Sequence, residues 1–282
     1  MYIVKKQMLT KAGKTIEETN EDCVYVCDKF GFVIDGATGL FKENYSPLKS
    51  DARWFAQFIK DFLVNNLTKK ISLQQILKEC VIQVNKKYDN FKDSQNAISR
   101  PSAGIALFRV NDDKVEFFVL GDCQIFVKSK SGNIQKLSLN DLPRLDQINI
   151  SKMTMLAKIK NINVIDARPL INDDLIATRL TQNTDKGYWI LSNSIEAIDN
   201  GLYITMPISE IRQIIAMTDG YSQIIDTFHL YTIQQISDLL ENGTKLESLY
   251  EKLYNAQEKD KKCNYYPRFK IRDDASCLEF EL

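Results

Sequence analysis

Between residues 103 and 139 the chain runs through four short apolar segments in close succession: AGIALFRV (103–110), VEFFVLGD (115–122), QIFVKS (124–129) and IQKLSL (134–139). Turn residues separate them, notably Asn111-Asp112-Asp113 and Ser131-Gly132-Asn133. Each run is too short for a stable helix and rich in β-branched and aromatic residues, so the stretch predicts an antiparallel meander. Such a sheet needs cover, and the flanking sequence supplies it. Residues 51–67 place Trp54, Phe55, Phe58, Phe62 and Leu63 at helical spacing, and Ser72 can cap a second helix over 72–91. Leu73, Ile76, Leu77, Cys80, Val84 and Tyr88 form one apolar face of that second helix. Upstream, DCVYVCDKFGFVID (22–35) reads as a hairpin turning at Asp28-Lys29. Downstream, 140–160 is helical with interruptions, and 161–188 is polar and irregular, an excursion from the core. GYWIL (187–191) and IRQIIAMTDG (211–220) read as extended, 232–241 and 244–258 as helical, and CLEFEL (277–282) as a closing strand. This order predicts an α+β fold, a layered sandwich with antiparallel sheets. No repeat or linker interrupts it, so residues 1–282 read as one domain.

At 282 residues such a fold buries roughly three quarters of its surface and needs neither disulfide nor structural metal. Lys+Arg and Asp+Glu both number 37, leaving no net charge to attract nucleic acid or an acidic membrane. One histidine, His229, and six scattered cysteines offer no zinc set. Cys23, Cys27, Cys80, Cys123, Cys263 and Cys277 read as reduced thiols in a cytoplasmic protein. The N-terminus MYIVKKQMLTKAGK is too polar for a signal peptide, and no apolar run approaches 18 residues.

Chemistry is concentrated at acidic positions that flank apolar extended runs. Phe32-Val33-Ile34 leads into Asp35-Gly36, Phe117 to Leu120 into Gly121-Asp122, and Ile214 to Thr218 into Asp219-Gly220. Asp273-Asp274 precedes the last strand. Asp-Gly after a strand is an ordinary turn signal, and Asp112-Asp113 and Asp173-Asp174 read as plain turns. The others, taken together, can converge on one rim of a sandwich. Unpaired, they would repel one another and hold protons; a divalent cation removes that conflict, and an all-oxygen set selects Mg²⁺ or Mn²⁺.

The ordered series N-E-D (20–22), V-I-D-G-A-T-G (33–39), L-G-D-C (120–123), M-T-D-G (217–220) and D-D-A-S (273–276) resembles the metal-dependent protein phosphatase family, type 2C, over about residues 13–282. The resemblance implies a four-layer α-β-β-α sandwich, with two antiparallel sheets around a central metal site. It implies that Asp35 bridges two ions, Mn²⁺ or Mg²⁺, that the Gly36 carbonyl binds one of them, and that Asp219 and Asp273 complete the coordination of the second ion. Asp22 would act through a metal-held water, with Glu21 beside it, and Asp122 with Asp219 can hold a third ion. Asp274 is ranked as a neighbour rather than a ligand. Asp35, Asp219 and Asp273 are thus the implied catalytic set, and two cations would activate water for in-line attack on a phosphoserine or phosphothreonine ester of a protein substrate. Cys123 reads as a small core residue, not a nucleophile.

The sequence also departs from the family pattern. Glu17 stands where an arginine commonly binds phosphate, with Lys14 a nearby substitute, and Ala37, Cys123-Gln124 and Gln223 replace other common residues. Two alternatives therefore stay open beside the protein phosphatase: a catalytically weak phosphatase-like binding module, and a hydrolase of small phosphomonoesters.

Overall fold

The computed structural model describes residues 5–14, 16–37, 39, 44–91 and 100–282. The first four residues of the polar N-terminus and Thr38 of the V-I-D-G-A-T-G stretch lie outside them. Ten strands form two antiparallel five-stranded sheets among these residues. One sheet contains β2 (Asp22–Val26), β3 (Phe30–Ala37), β4 (Ser102–Asn111), β5 (Lys114–Leu120) and β8 (Leu202–Pro207), in that spatial order. The other is ordered β1 (Lys5–Lys11), β10 (Ala275–Glu281), β9 (Ile211–Met217), β6 (Gln124–Ser129) and β7 (Ile134–Leu137).

The central strands are apolar on both faces because both faces are covered. Along β4, Ile105 and Leu107 join the core under the helices, while Ala106 and Phe108 point into the layer between the sheets. Along β9, Ile214 and Ala216 enter that same inter-sheet layer, and Ile215 and Met217 face the opposite side. The two-residue period thus divides each strand between two cores. Phe108 and Phe280, one from each sheet, meet across the middle with ring centroids 4.9 Å apart.

Helices α1 (Asp51–Asn66) and α2 (Leu73–Tyr88) cover the first sheet. Ser50 and Ser72 cap them by accepting from the Arg53 and Gln75 backbone N–H groups, which satisfies donors that would otherwise be orphaned. The face predicted for the second helix is buried as expected. The second sheet is covered by α5 (Asp219–Asp226), α6 (Ile233–Glu241) and α7 (Leu246–Lys259). The result is the four-layer sandwich anticipated from the sequence.

Between β7 and β8 the chain leaves the sandwich. Helix α3 (Asp141–Lys160), a 3₁₀ segment at Ile165–Ile171 and α4 (Asn172–Leu180) build a small cluster of their own from Met153, Ala157, Val164, Ala167 and Ile171. The excursion expected over 161–188 is present, but the irregularity is not. Its apolar residues are sparse, yet Cys263 and Phe269 from the loop after α7 complete a core for them. Asp173 and Asp174 lie in the first turn of α4 rather than in a loop, where carboxylates favour the positive helix end. GYWIL forms only isolated bridges, Gln182 to Tyr188 and Ala103 to Leu191.

Candidate metal centre

The antiparallel register of β2 and β3 pairs Asp22 with Asp35. Directly opposed residues send their side chains to one face, and like charges so placed destabilise a sheet. That face is the inter-sheet one, because Val24 and Val33, two positions further along each strand, belong to the layer between the sheets. The apolar filling of the sandwich therefore gives way to carboxylates at one end.

The neighbouring elements add more acid to the same place. Asp35 pairs on its other side with Gly104 of β4, and a Cβ at Gly104 would stand 2.6 Å from Asp122 Oδ1. The missing side chain is what lets Asp122 lie against the sheet beside Asp35. Asp35, Asp122 and Cys123 can bring ligand atoms within 4.8 Å of one another. Asp219 opens α5 just beyond the end of β9, and its charge is among those that act most strongly on Asp35. Asp273 stands before β10 and lines a cleft together with Asp122, Asp146 and Asp219.

Hydrogen bonds hold this set in register. The Thr218 hydroxyl donates to Asp22 Oδ2 at 2.8 Å and accepts from the Ser276 backbone N–H at 2.9 Å. Asp274 accepts from the backbone N–H groups of Gly13 (2.8 Å) and Glu21 (2.7 Å), tying the N-terminal segment to the approach of β10. Its two oxygens are thereby engaged by backbone, in keeping with its ranking as a neighbour. Gly220 packs still more closely: a Cβ there would lie 1.8 Å from the Asp274 carbonyl oxygen. Gly220→Ala is expected to force α5 and the Asp273-Asp274 segment apart. The melting temperature should fall by several degrees, with a parallel loss of divalent-cation binding in calorimetric titration; unchanged values of both would show that the contact is relaxed cheaply.

The electrostatics follow from burial. Asp22 and Asp35 are pushed well above the ordinary carboxylate range, first by desolvation, then by Asp274 for Asp22 and by Asp219 for Asp35. Burial, then Asp146, raises Asp122 to about 6. Burial, then Asp273, raises Asp219 to about 7. Burial and the charge of Asp219 raise Asp146 to about 7. Burial above all, then Asp35, lifts the Cys123 thiol well above its usual value, so it stays protonated and is no nucleophile.

A cation fits this arrangement. Asp22 Oδ1 and Asp35 Oδ2 are buried with no hydrogen-bond partner among the described residues, and such atoms carry a desolvation cost unless something binds them. An oxygen-dominated set of carboxylates suits a hard divalent ion.

Two residues of this site carried no sequence signal. Asp146 sits inside α3, with no strand or glycine beside it, and reaches the cleft only because α3 packs over the rim. Lys270 lies in the loop after α7, and its ammonium donates to Asp273 Oδ1 at 2.6 Å. Glu17 occupies an exposed 3₁₀ turn whose backbone carbonyl accepts from Arg53. Neither Glu17 nor Lys14 is among the residues lining the cleft. His229 is exposed at the cleft edge, its Nδ1 2.8 Å from the Ile225 carbonyl oxygen. Gln124 donates to Asp226 Oδ2 at 2.9 Å and joins β6 to α5.

Comparison with known proteins agrees with this fold. Solved structures of similar fold include the serine/threonine phosphatase Stp1 from Staphylococcus aureus, 10% identical, with 100% of this chain and 96% of that one covered and a TM-score of 0.56. The Mycobacterium tuberculosis serine/threonine phosphatase PstP/Ppp is 12% identical, with coverage of 100% and 99% and a TM-score of 0.55. The catalytic domain of PstP in complex with two manganese ions is 10% identical, with coverage of 99% and 98% and a TM-score of 0.53. No curated protein sequence matches the chain. The family profile described as Protein phosphatase 2C matches residues 21–265, and with most of its length so matched the chain belongs to that family.

Proposed function

We propose that the protein is a metal-dependent phosphoserine/phosphothreonine protein phosphatase. The observation that carries this reading is the pair of orphaned buried oxygens, Asp22 Oδ1 and Asp35 Oδ2, within a convergent carboxylate cluster. Asp35, Asp219, Asp273 and the Gly36 carbonyl would hold two Mn²⁺ or Mg²⁺ ions, with Asp22 acting at one remove and Asp122 with Asp219 offering a third position. When bound, the cations supply Lewis-acid polarisation of the phosphoryl group and lower the pKa of water.

The chain's own residues prepare the rest. Thr218 occupies one oxygen of Asp22, leaving Oδ1 to face the site. Asp274, pinned by two backbone N–H groups, fixes the approach of Asp273. The adjoining cleft measures about 810 Å³, room for a phosphorylated side chain with part of its flanking peptide. Its walls include Ile150, Met155, Tyr265 and Phe269, which can take apolar parts of such a peptide out of water.

The test is turnover of p-nitrophenyl phosphate by metal-stripped protein before and after Mn²⁺ is added, followed by a panel of phosphopeptides. Chelator-sensitive hydrolysis of both substrates is expected. Activity on the aryl phosphate without activity on any phosphopeptide would favour a small-molecule phosphomonoesterase. No metal-dependent turnover at all would leave a phosphatase-like binding module.

A further inference from the structure

We propose that Lys270 is the chain's own cation for the phosphoryl group of the substrate, an inference that rests on the phosphatase reading above. The difficulty it answers is electrostatic. A phosphate ester entering the cleft meets Asp122, Asp146, Asp219 and Asp273, and a dianion is repelled by each unless positive charge compensates.

The cleft walls carry Lys158, Arg268 and Lys270 as basic residues. Arg268 is already spent. Its Nη1 donates to Asp260 Oδ2 (3.0 Å) and the Tyr266 carbonyl (2.7 Å), its Nη2 to the Asp260 carbonyl (2.8 Å) and its Nε to that of Ile271 (3.1 Å). Lys158 stands in the last turn of α3, and no ion pair joins it to a site carboxylate among the described residues.

Lys270 differs on both points. Among the described residues its ammonium makes one hydrogen bond, to Asp273 Oδ1, and a lysine has three donors, so two remain there. Its side chain keeps 55% of its exposure, open to the cleft. It lines the cleft together with Asp122, Asp146, Asp219 and Asp273. Asp273 Oδ1 is taken by Lys270 and by the Asp274 backbone N–H at 2.9 Å. Oδ2 has no hydrogen bond among the described residues. One carboxylate can therefore serve Lys270 through one oxygen and a divalent ion through the other, and a phosphoryl group drawn to that ion arrives beside a cation with free donors. The loop that carries Lys270 is held by the buried Arg268–Asp260 pair, so the ammonium is presented from a fixed frame.

The test compares wild type, Lys270→Met and Lys270→Arg by calorimetric titration with Mn²⁺, by titration of the Mn²⁺-loaded proteins with inorganic phosphate, and by steady-state kinetics on p-nitrophenyl phosphate. Lys270→Met should weaken phosphate binding and raise KM about 10-fold to 100-fold, the range of one charge-assisted hydrogen bond. Its Mn²⁺ affinity should hold or rise, because a positive neighbour of Asp273 has gone. Lys270→Arg should stay within about threefold of wild type, since it keeps the charge. If Lys270→Met tightens Mn²⁺ but leaves phosphate affinity and KM unchanged, Lys270 only balances Asp273 and the inference falls, while the phosphatase reading stands. If wild type binds Mn²⁺ and phosphate, loses the phosphate in Lys270→Met, and yet turns nothing over, the inference stands and the phosphatase reading falls. Wild type that binds neither ion overturns both.

Discussion

Asp35→Asn is expected to abolish Mn²⁺-dependent hydrolysis while leaving the protein folded, and to make the metal-free protein at least as stable as wild type. Asp35 is opposed by Asp22 across the ladder and feels the charge of Asp219. The amide removes a charge that burial and three acidic neighbours all disfavour. With Mn²⁺ at 100 times its dissociation constant, wild type should gain about 2.7 kcal/mol, and the variant should lose that gain. Near wild-type turnover in Asp35→Asn would remove Asp35 from the metal centre.

Asp219→Asn adds a pH signature. The native carboxyl of Asp219 titrates at about 7 against an ordinary 3.8, so the native state keeps a proton that the unfolded chain has already released. The native state binds more protons throughout that window, hence the stability of the metal-free protein falls as pH rises from about 4 to about 7, and levels off above. Asp122, raised to about 6, adds to the same slope. Asp219→Asn should make it shallower, the remainder coming from the other raised carboxyls Asp22, Asp35, Asp122 and Asp146. Mn²⁺ must displace those protons, so its affinity for wild type should climb over the same interval. Chemical denaturation of metal-free protein between pH 5 and 8 measures the first effect; a slope identical in wild type and Asp219→Asn would contradict the assignment of the titrating group.

Arg268→Met should cost the most stability. Arg268 and Asp260 are a buried ion pair, each 5% exposed at the side chain. Asp260 also accepts from the backbone N–H groups of Asn264, Tyr265 and Tyr266, and Arg268 stacks on Phe228 at 4.9 Å. Breaking a buried pair from one side leaves an uncompensated charge, worth about 3–5 kcal/mol. For a chain of this length that is a fall in melting temperature on the order of 10 °C. The loop so loosened carries Lys270 and leads to Asp273, so Mn²⁺ affinity should drop with it. Adding Asp260→Asn should recover part of the stability, because the stranded charge goes. A melting temperature within about 2 °C of wild type for Arg268→Met alone would mean that the loop holds without the pair.

The edges of the two sheets show where pattern reading weakens. The four strands over 102–137, the hairpin of β2 and β3 and the two helices were legible because burial on one or both faces leaves a plain apolar period. The four strands are not the single meander expected, however: β4–β5 and β6–β7 are hairpins in different sheets, since the chain crosses the sandwich at Gly121–Cys123. β1 reads KKQMLTK and β8 reads LYITMP, and each alternates half-buried with exposed residues. Both are edge strands, covered on one face only, so neighbours rather than side chains make them strands. α5 was hidden for another reason: Asp219-Gly220 is a turn signal, and only the packing of Tyr221 and Ile224 beneath α7 carries the chain on as a helix.

The same division runs through the metal centre. Asp35, Asp122, Asp219 and Asp273 could be named as candidates because each terminates or precedes an apolar run, and such ends can gather at one rim. Contacts between residues far apart in the chain were not. Asp146 enters the cleft from a helix whose own pattern gives it no special place, and Lys270 reaches Asp273 from a loop folded by Arg268 and Asp260. Local periodicity by itself determined the central strands and marked the carboxylates at their ends. Which outlying charges join them was decided only by tertiary packing, because that depends on how α3 and the 260–274 loop close over the rim, and no short stretch of sequence contains that information.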